Sequence, residues 1–386
     1  MSPLIILGLM TAGLFAIALN QIDYTTNEDY GDGSGGDSSD PTDIGSVDES
    51  LTGGVTDSGN TDNDILTIAA GGTLTGTEGN DTIEMDGPAG DPISVDALEG
   101  NDRIDLYEED AVASDAEFLN QQLVGSTIDG GFGNDRIDAA TFNSTVSGNY
   151  GNDTITGTHD NSLIDAGVGN DRVEIDSFGE SATTVLGGDG ADIIDARING
   201  GTVDGGAGND VLHAYSGGTA VTSVSGGAGI DFFDIDATDL PVAAGEVGFS
   251  VTGGAGVDVF QVAVNEGVQD TSFWLGENVS VTPEGALRVD TGEITDFTPG
   301  EDLLVIDGAP AAGGIALSSI DLEEVAQADA ISTQVTLTYS STTPGVLTRE
   351  VVFTLNGASG LSATDIQLIG TDPGVLEFVP LPEAAA

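Results

Sequence analysis

The segment from Gly205 to His213, which reads GGAGNDVLH, decides the fold because its pattern recurs along the chain in one register. Nine copies align on an aspartate, with glycine two residues before it, a large apolar residue two after it and an apolar residue seven before it. The residue directly before the aspartate is asparagine in six of the copies. The nine aspartates are Asp81, Asp102, Asp135, Asp153, Asp171, Asp192, Asp210, Asp231 and Asp258.

Each copy predicts a turn between two short strands. Glycine permits positive φ angles at little steric cost but weakens helix and strand interiors, so the glycine-rich part is the turn. A unit of this size cannot bury its apolar residues alone, whereas stacked units can. The repeat therefore predicts an all-β solenoid in which equivalent turns lie about 4.8 Å apart.

Stacking would place the nine aspartates in a ladder that needs a counter-charge. Two carboxylates about 5 Å apart repel by about 0.8 kcal/mol at a dielectric constant near 80 and by about 3 kcal/mol near 20. Carboxylates and glycine-exposed main-chain carbonyls are hard oxygen ligands in a flexible loop, which suits Ca²⁺ better than the smaller Mg²⁺. The ladder predicts a calcium-binding edge, and the alternative is a row of solvated aspartate turns without metal.

The motif resembles the repeats-in-toxin, or hemolysin-type, calcium-binding repeat, Gly-Gly-x-Gly-x-Asp-x-apolar-x. GGAGNDVLH and GGFGNDRID (Gly130–Asp138) match it throughout. The resemblance implies a right-handed parallel β-roll with about six to eight Ca²⁺ between its turns, and it makes the nine aspartates the side-chain ligands. It also implies metal-site glycines at Gly130, Gly133, Gly151, Gly169, Gly187, Gly190, Gly205, Gly208, Gly226, Gly229, Gly253 and Gly256.

The spacing of the aspartates departs from that family. The family repeats every nine residues and binds calcium on both edges of the roll, whereas successive aspartates here are 18 to 33 residues apart. This spacing predicts calcium loops on one edge only and a variable opposite edge that carries inserts. The longest insert, residues 107–122, is expected to be helical.

The chain divides into four segments. Residues 1–19 contain an apolar stretch, 4–19, that is short for a membrane of about 30 Å and predicts either a cleaved export signal or an uncleaved anchor. Residues 20–63 are rich in Gly, Ser and Asp and predict a disordered acidic linker. The roll is expected over 64–262 and a β-rich C-terminal cap over 263–386. Within the cap, ITDFTPGEDLLVI (Ile294–Ile306) resembles the closing segment of serralysin-type secreted proteases, which implies a possible C-terminal export signal.

Composition narrows the classes of function. The 386 residues carry 66 acidic and only six basic side chains, a net charge of −60, and no cysteine. Nucleic acid is excluded as a direct partner because phosphate binding needs a basic face, and anionic lipid is disfavoured for the same reason. The absence of cysteine excludes a disulfide framework and a thiolate metal site. Neither HExxH nor GxSxG occurs, so no catalytic motif is found.

Single residues that could carry chemistry have simpler interpretations. His159 and His213 are expected on the surface, and Trp274, the only tryptophan, in the core of the cap. Three arginines directly follow a ladder aspartate and are expected to offset its charge: Arg103, Arg136 and Arg172. The outward turn position carries no threonine ladder, which argues against an ice-binding solenoid.

These features predict an extracellular or cell-surface calcium-binding protein that is exported and folds when it binds Ca²⁺. Its role is expected to be structural or interactive, with surface polysaccharide or another protein as its partner. Two alternatives stay open. One is a secreted enzyme that acts on polysaccharide through a site on the inserts or the C-terminal region, and the other is an adhesin module.

Overall fold

The computed structural model describes residues 55–56, 63–87, 91–106, 122–177, 182–198, 200–216, 221–236, 249–263, 279–308, 315–326, 331–341, 345–362, 364–369 and 376–379. These residues are all-β, and none of them forms a helix long and apolar enough to cross a membrane. The apolar stretch 4–19, residues 107–121 of the longest insert and Trp274 lie outside these ranges.

Successive strands alternate between two long sheets, as expected for a solenoid. The 16-stranded first sheet contains β1 (Val55–Thr56), β3 (Thr73–Thr75), β5 (Ser94–Asp96), β8 (Thr127–Phe132), β10 (Thr145–Tyr150), β12 (Leu163–Val168), β14 (Thr183–Asp189), β16 (Gly201–Ala207), β18 (Thr222–Gly229), β20 (Phe249–Gly256), β22 (Ser280–Val281), β23 (Leu287–Ile294), β25 (Ile315–Ala326), β26 (Ile331–Ser341), β27 (Arg349–Leu355) and β29 (Leu376–Val379). The 13-stranded second sheet contains β2 (Ile65–Ile68), β4 (Thr82–Met85), β6 (Arg103–Leu106), β7 (Leu123–Val124), β9 (Arg136–Phe142), β11 (Thr154–Asp160), β13 (Arg172–Asp176), β15 (Ile193–Ile198), β17 (Val211–Ser216), β19 (Phe232–Asp236), β21 (Val259–Ala263), β24 (Leu303–Asp307) and β28 (Ile366–Ile369).

Each copy of the motif lies in register on the copy before it. In the first sheet Val146 pairs with Ile128 and Ile164, and in the second sheet Ile155 pairs with Ile137, all in parallel strands. Each motif therefore joins a strand of the first sheet to the next strand of the second sheet through its turn. The predicted all-β parallel solenoid is confirmed.

The two apolar columns of the repeat form the core between the sheets. All of these side chains are at most 3% exposed, so the apolar residues on both strands point inward as predicted. Their burial provides the main favourable free energy of a fold of this kind, because each fully buried aliphatic side chain contributes about 1.5–3 kcal/mol. The columns are Leu74, Val95, Ile128, Val146, Ile164, Val185, Val203, Val224 and Val251 in the first sheet, and Ile83, Ile104, Ile137, Ile155, Val173, Ile194, Leu212, Phe233 and Phe260 in the second.

The parallel ladders continue beyond the last copy of the motif. Strand β23 pairs in parallel with β20, and β24 pairs in parallel with β21, so Ile294 and Leu304 extend the same core. The first sheet then turns antiparallel through β27, β26 and β25. At the other end, β1 pairs with β3 although it falls within 20–63, the segment whose composition predicts a linker.

Candidate metal centre

The nine motif aspartates form one continuous ladder along the edge where the glycine-rich turns stack. Each is at most 2% exposed. The Oδ1 atom of each aspartate accepts a hydrogen bond of 2.7–3.0 Å from the main-chain N–H of the equivalent residue one turn earlier, as Asp171 does from Asp153. The structure therefore places all nine predicted carboxylates in one row, and each carboxylate is held by a hydrogen bond from the turn before it.

The ladder is longer than the motif. The N–H of Asp64 donates to Asp81, which begins the row, and the N–H of Asp258 donates to Oδ1 of Asp302 at 2.9 Å. The sequence carried a partial signal for Asp302, because Gly300 lies two residues before it and Leu304 two residues after it. That signal was missed since the glycine pair of the motif is absent there.

The second carboxylate oxygen, Oδ2, has no hydrogen-bond partner among the described residues in seven consecutive ladder aspartates. A buried carboxylate oxygen without a donor or a cation carries its full desolvation penalty, so such atoms are rare in native proteins. The interior of the ladder thus lacks one donor or one positive charge per turn. The seven residues are Asp102, Asp135, Asp153, Asp171, Asp192, Asp210 and Asp231.

The first glycine of the motif lines the space in front of Oδ2. A Cβ atom on Gly130 would lie 2.7 Å from Oδ2 of Asp135 and 3.0 Å from the carbonyl oxygen of Gly148 in the next turn. The carboxylate oxygen and a main-chain carbonyl therefore face the same point, which a larger side chain at this position would fill. The turns of Asp102 and Asp171 carry only a methyl group there, from Ala97 and Ala166. Four other predicted glycines likewise face the Oδ2 atom of their own aspartate: Gly187, Gly205, Gly226 and Gly253.

The third glycine of the motif lets successive turns stack closely. Gly190 has a φ of +144°, and a Cβ atom there would overlap the carbonyl oxygen of Gly169 in the turn before. Only glycine combines this left-handed backbone with so close an approach. The other predicted glycines at this position have the same arrangement: Gly133, Gly151, Gly169, Gly208, Gly229 and Gly256.

The buried environment of the ladder disfavours the ionised form of its carboxylates. Burial raises the pKa of Asp102, Asp135 and Asp153 to about 7. The hydrogen bonds from main-chain N–H groups lower these pKa values, and neighbouring carboxylates raise them. Burial likewise raises the pKa of Asp192 and Asp210 to about 6. At neutral pH the ladder therefore opposes its own ionisation, which a bound cation would relieve.

The donor set at each turn fits a hard cation held mainly by the main chain. Within the described ranges no three Asp, Glu or His side chains converge on a common point. The seven turns from Asp102 to Asp231 instead offer one carboxylate oxygen without a donor, near main-chain carbonyls of the glycine-rich turns. Oxygen ligands in flexible loops are those that Ca²⁺ prefers, while thiolate and imidazole, which favour transition metals, are absent from the ladder.

An asparagine row runs beside the aspartate ladder and was not interpreted from the sequence. The side-chain oxygen of Asn134 accepts the N–H of Asn152, and that of Asn152 accepts the N–H of Asn170, both at 2.7 Å. The same contact recurs at Ala191 and Ile230, whose N–H groups donate to asparagines in the preceding turns. Each asparagine therefore caps the next turn, which explains why the motif carries it directly before the aspartate.

The three arginines that follow ladder aspartates do not pair with the ladder. Strand alternation turns the residue after the aspartate outward, so the arginines are half-exposed on the outer face of the second sheet. The expectation that they offset ladder charge is corrected accordingly. Each contacts the acid two residues further along its strand: Arg103 with Asp105 at 2.5 Å, Arg136 with Asp138 at 4.0 Å and Arg172 with Glu174 at 3.0 Å.

The opposite edge of the roll has its own hydroxyl row over three turns. The N–H groups of Ile93, Ser126 and Ser144 donate to the serine Oγ one turn later, which belongs to Ser126, Ser144 and Ser162, respectively. These serines are buried. The edge that the spacing predicts to be variable is therefore closed over these turns by serine hydroxyls. The buried carboxylate of Asp160 also accepts hydrogen bonds there, from Gln122 and Ser177.

Both histidines are buried, and their predicted surface position is wrong. His159 is fully buried on the opposite edge, with Nδ1 2.8 Å from Oγ1 of Thr141. His213 is 7% exposed, and its Nδ1 lies 3.3 Å from Oδ2 of Asp234. His159 lies near the end of β11, beyond the repeated columns, and His213 occupies a strand position that is Asp195 and Asp234 in the neighbouring copies. Neither burial could therefore be predicted from the repeat.

Buried His159 is expected to make the roll acid-sensitive. Burial lowers its pKa to about 4, so the folded protein binds fewer protons than the unfolded chain between pH 6.5 and 4. His159 therefore contributes a loss of stability as the pH falls through this window, by up to about 1.4 kcal/mol per pH unit. The ladder carboxylates contribute in the opposite direction, because burial raises their pKa values. Urea unfolding from pH 7 to 4.5 should show His159→Gln gaining stability relative to wild type as the pH falls. An identical pH dependence of the two proteins would contradict the assignment.

The chain has no recognised relative in two comparisons with known proteins. No protein-family model matches any part of it, and no curated protein is significantly similar to it.

Proposed function

We propose that this protein is an exported calcium-binding repeat protein that folds on binding Ca²⁺ outside the cytosol. It acts at the cell surface or in the extracellular medium as a structural or interaction module. The resemblance of the motif to repeats-in-toxin sequences supports the export and the calcium dependence, and the parallel solenoid is the architecture that this resemblance implies.

The observation that carries the proposal is the row of seven buried Oδ2 atoms without a partner, from Asp102 to Asp231. In five of these seven turns the first glycine of the motif leaves space in front of Oδ2, and in the turns of Asp102 and Asp171 this position is Ala97 and Ala166. Ca²⁺ supplies positive charge to such hard oxygen ligands. The aspartates would provide the side-chain ligands and the glycine-rich turns the carbonyl ligands.

The ladder also explains why the chain would fold only when it binds the cation. In a chelated chain, stacking the turns buries successive carboxylates whose pKa values are raised by burial, so the folded state is penalised at neutral pH. The unfolded chain keeps these carboxylates solvated and apart. Cation binding and folding are therefore linked, as in other domains whose metal sites do not exist before folding.

The test is a calcium titration of the chelated full-length protein followed by far-ultraviolet circular dichroism. Calcium is expected to produce a cooperative gain of β-sheet signal. Magnesium at the same concentration should produce a smaller gain because it requires tighter octahedral geometry, and sodium chloride of equal ionic strength controls for charge screening. A spectrum unchanged by calcium, or an equal response to sodium chloride, would refute the proposal.

A further inference from the structure

The carboxylates at the two ends of the ladder differ from those in its interior. Oδ2 of Asp81 accepts hydrogen bonds from the N–H of Thr77 at 2.8 Å and from its Oγ1 at 3.0 Å. Oδ2 of Asp302 accepts the N–H of Thr298 at 2.7 Å. In both turns a threonine four residues before the aspartate satisfies the oxygen that is left without a partner in the interior.

The backbone at this position, four residues before the aspartate, has two states. In every turn from Asp102 to Asp258 it has a positive φ, whereas Thr77 and Thr298 do not. The interior state is not merely a consequence of glycine, because two other residue types adopt it despite the steric strain. The interior residues are Leu98, Gly131, Asn149, Gly167, Gly188, Gly206, Gly227 and Gly254.

A third carboxylate beyond the ladder repeats the terminal arrangement. Oδ1 of Asp365 accepts the N–H of Gly300 at 2.9 Å, as a ladder aspartate would from the turn before. Its Oδ2 accepts both the N–H and the Oγ of Ser362 at 2.7 Å. A Ser or Thr donor therefore satisfies the carboxylate in the turns outside the interior row, at both ends of the roll.

We propose that the turns of Asp81 and Asp302 close the aspartate ladder without a cation, because Thr77 and Thr298 provide the donors that a cation replaces in the interior. This inference rests on the proposed function, since it divides the predicted ligands into cation-binding and cation-free turns. It also removes Asp81 from the side-chain ligands that the motif predicts. A solenoid needs ends that are complete without a further turn, and these turns meet that need.

The test counts calcium ions bound to the purified full-length protein by equilibrium dialysis and elemental analysis. Asp171→Asn, in the interior, is expected to lose one or two ions relative to wild type. Asp81→Asn and Asp302→Asn are expected to lose none. Loss of an ion from Asp81→Asn equal to that from Asp171→Asn would overturn the inference. A wild-type protein that binds no calcium would refute the proposed function itself, and the inference would fall with it.

The variant Thr77→Gly provides a second test, in which the number of bound calcium ions is expected to increase rather than decrease. Glycine can adopt the interior backbone state and lacks the hydroxyl, so the Asp81 turn is expected to acquire one additional ion. Thr77→Ser retains both donors and should leave the count unchanged. A Thr77→Gly protein with the wild-type count would overturn the role of Thr77, and this holds even where Asp81→Asn fails to fold.

Discussion

Replacing Asp153, Asp171 and Asp192 together with asparagine is expected to shift the stability of the roll in opposite directions with and without calcium. Asparagine keeps an Oδ1 that accepts the N–H of the previous turn, while an amide nitrogen replaces the unpartnered Oδ2. Burial raises the pKa of Asp153 to about 7 and of Asp192 to about 6, so ionising them at pH 8 opposes folding. In chelator the variant should therefore be more structured than wild type, by on the order of 2 kcal/mol per aspartate.

In calcium the same variant is expected to be less stable than wild type. An amide nitrogen is a donor and cannot ligate a cation, so the replaced turns lose their side-chain ligand. Each lost site removes about 2.7 kcal/mol when free calcium is 100 times its Kd. Thermal unfolding and circular dichroism at pH 8, with chelator and with calcium, measure both effects.

A matched control separates the ladder from the general charge of the chain. Glu78→Gln, Asp91→Asn and Asp96→Asn together remove the same number of charges from exposed positions. This control should change stability slightly and in the same direction under both conditions, because only diffuse repulsion is relieved. A ladder variant that behaves like the control would show that the buried carboxylates bind no cation.

The core could be predicted from the repeat because burial requires an apolar residue at the same position of every copy. In each turn the same two positions must be apolar, as Ile155 and Val146 are, and a polar residue there would remain buried without a partner. The third glycine of the motif is equally constrained, since the turn before leaves no room for Cβ at Gly151. Such positions recur in every copy and can be read from one sequence.

The hydrogen bonds of the ladder could not be predicted from the motif. The pattern places an aspartate in each turn, but the choice of Oδ1 as the acceptor depends on the side-chain rotamer and on the height of the neighbouring turn. The asparagine row depends on the same spacing. These contacts join residues 18 or more positions apart, so only the stacked structure reveals them.

Residues that break the repeat were the hardest to interpret. Thr77 and Thr298 occupy a position that is glycine in most copies, and a sequence comparison treats them as weak matches rather than as donors. His159 lies near the end of β11, where its counterpart one turn earlier is Thr141. Their roles depend on three-dimensional neighbours that no repeated column specifies.

The second large effect is expected at Gly190, where alanine should disrupt the stacking of two turns. The added Cβ would overlap the carbonyl oxygen of Gly169, which belongs to the backbone and cannot rotate away. The φ of +144° adds strain for any L-residue. Relief requires the two turns to separate, which would break the N–H contact between Asp171 and Asp192. We expect a destabilisation of at least about 4 kcal/mol in calcium.

Gly87→Ala is the matched control because it isolates backbone strain from the clash. Gly87 also has a positive φ, +89°, but no atom of the part of the chain that the structure describes lies within 4 Å of an added Cβ. Its replacement should cost about 1–2 kcal/mol, the strain of a left-handed residue alone. Urea unfolding in calcium measures the difference between the two variants. Equal losses would mean that turn stacking at Gly190 contributes little, and that the turns can separate without loss of the ladder.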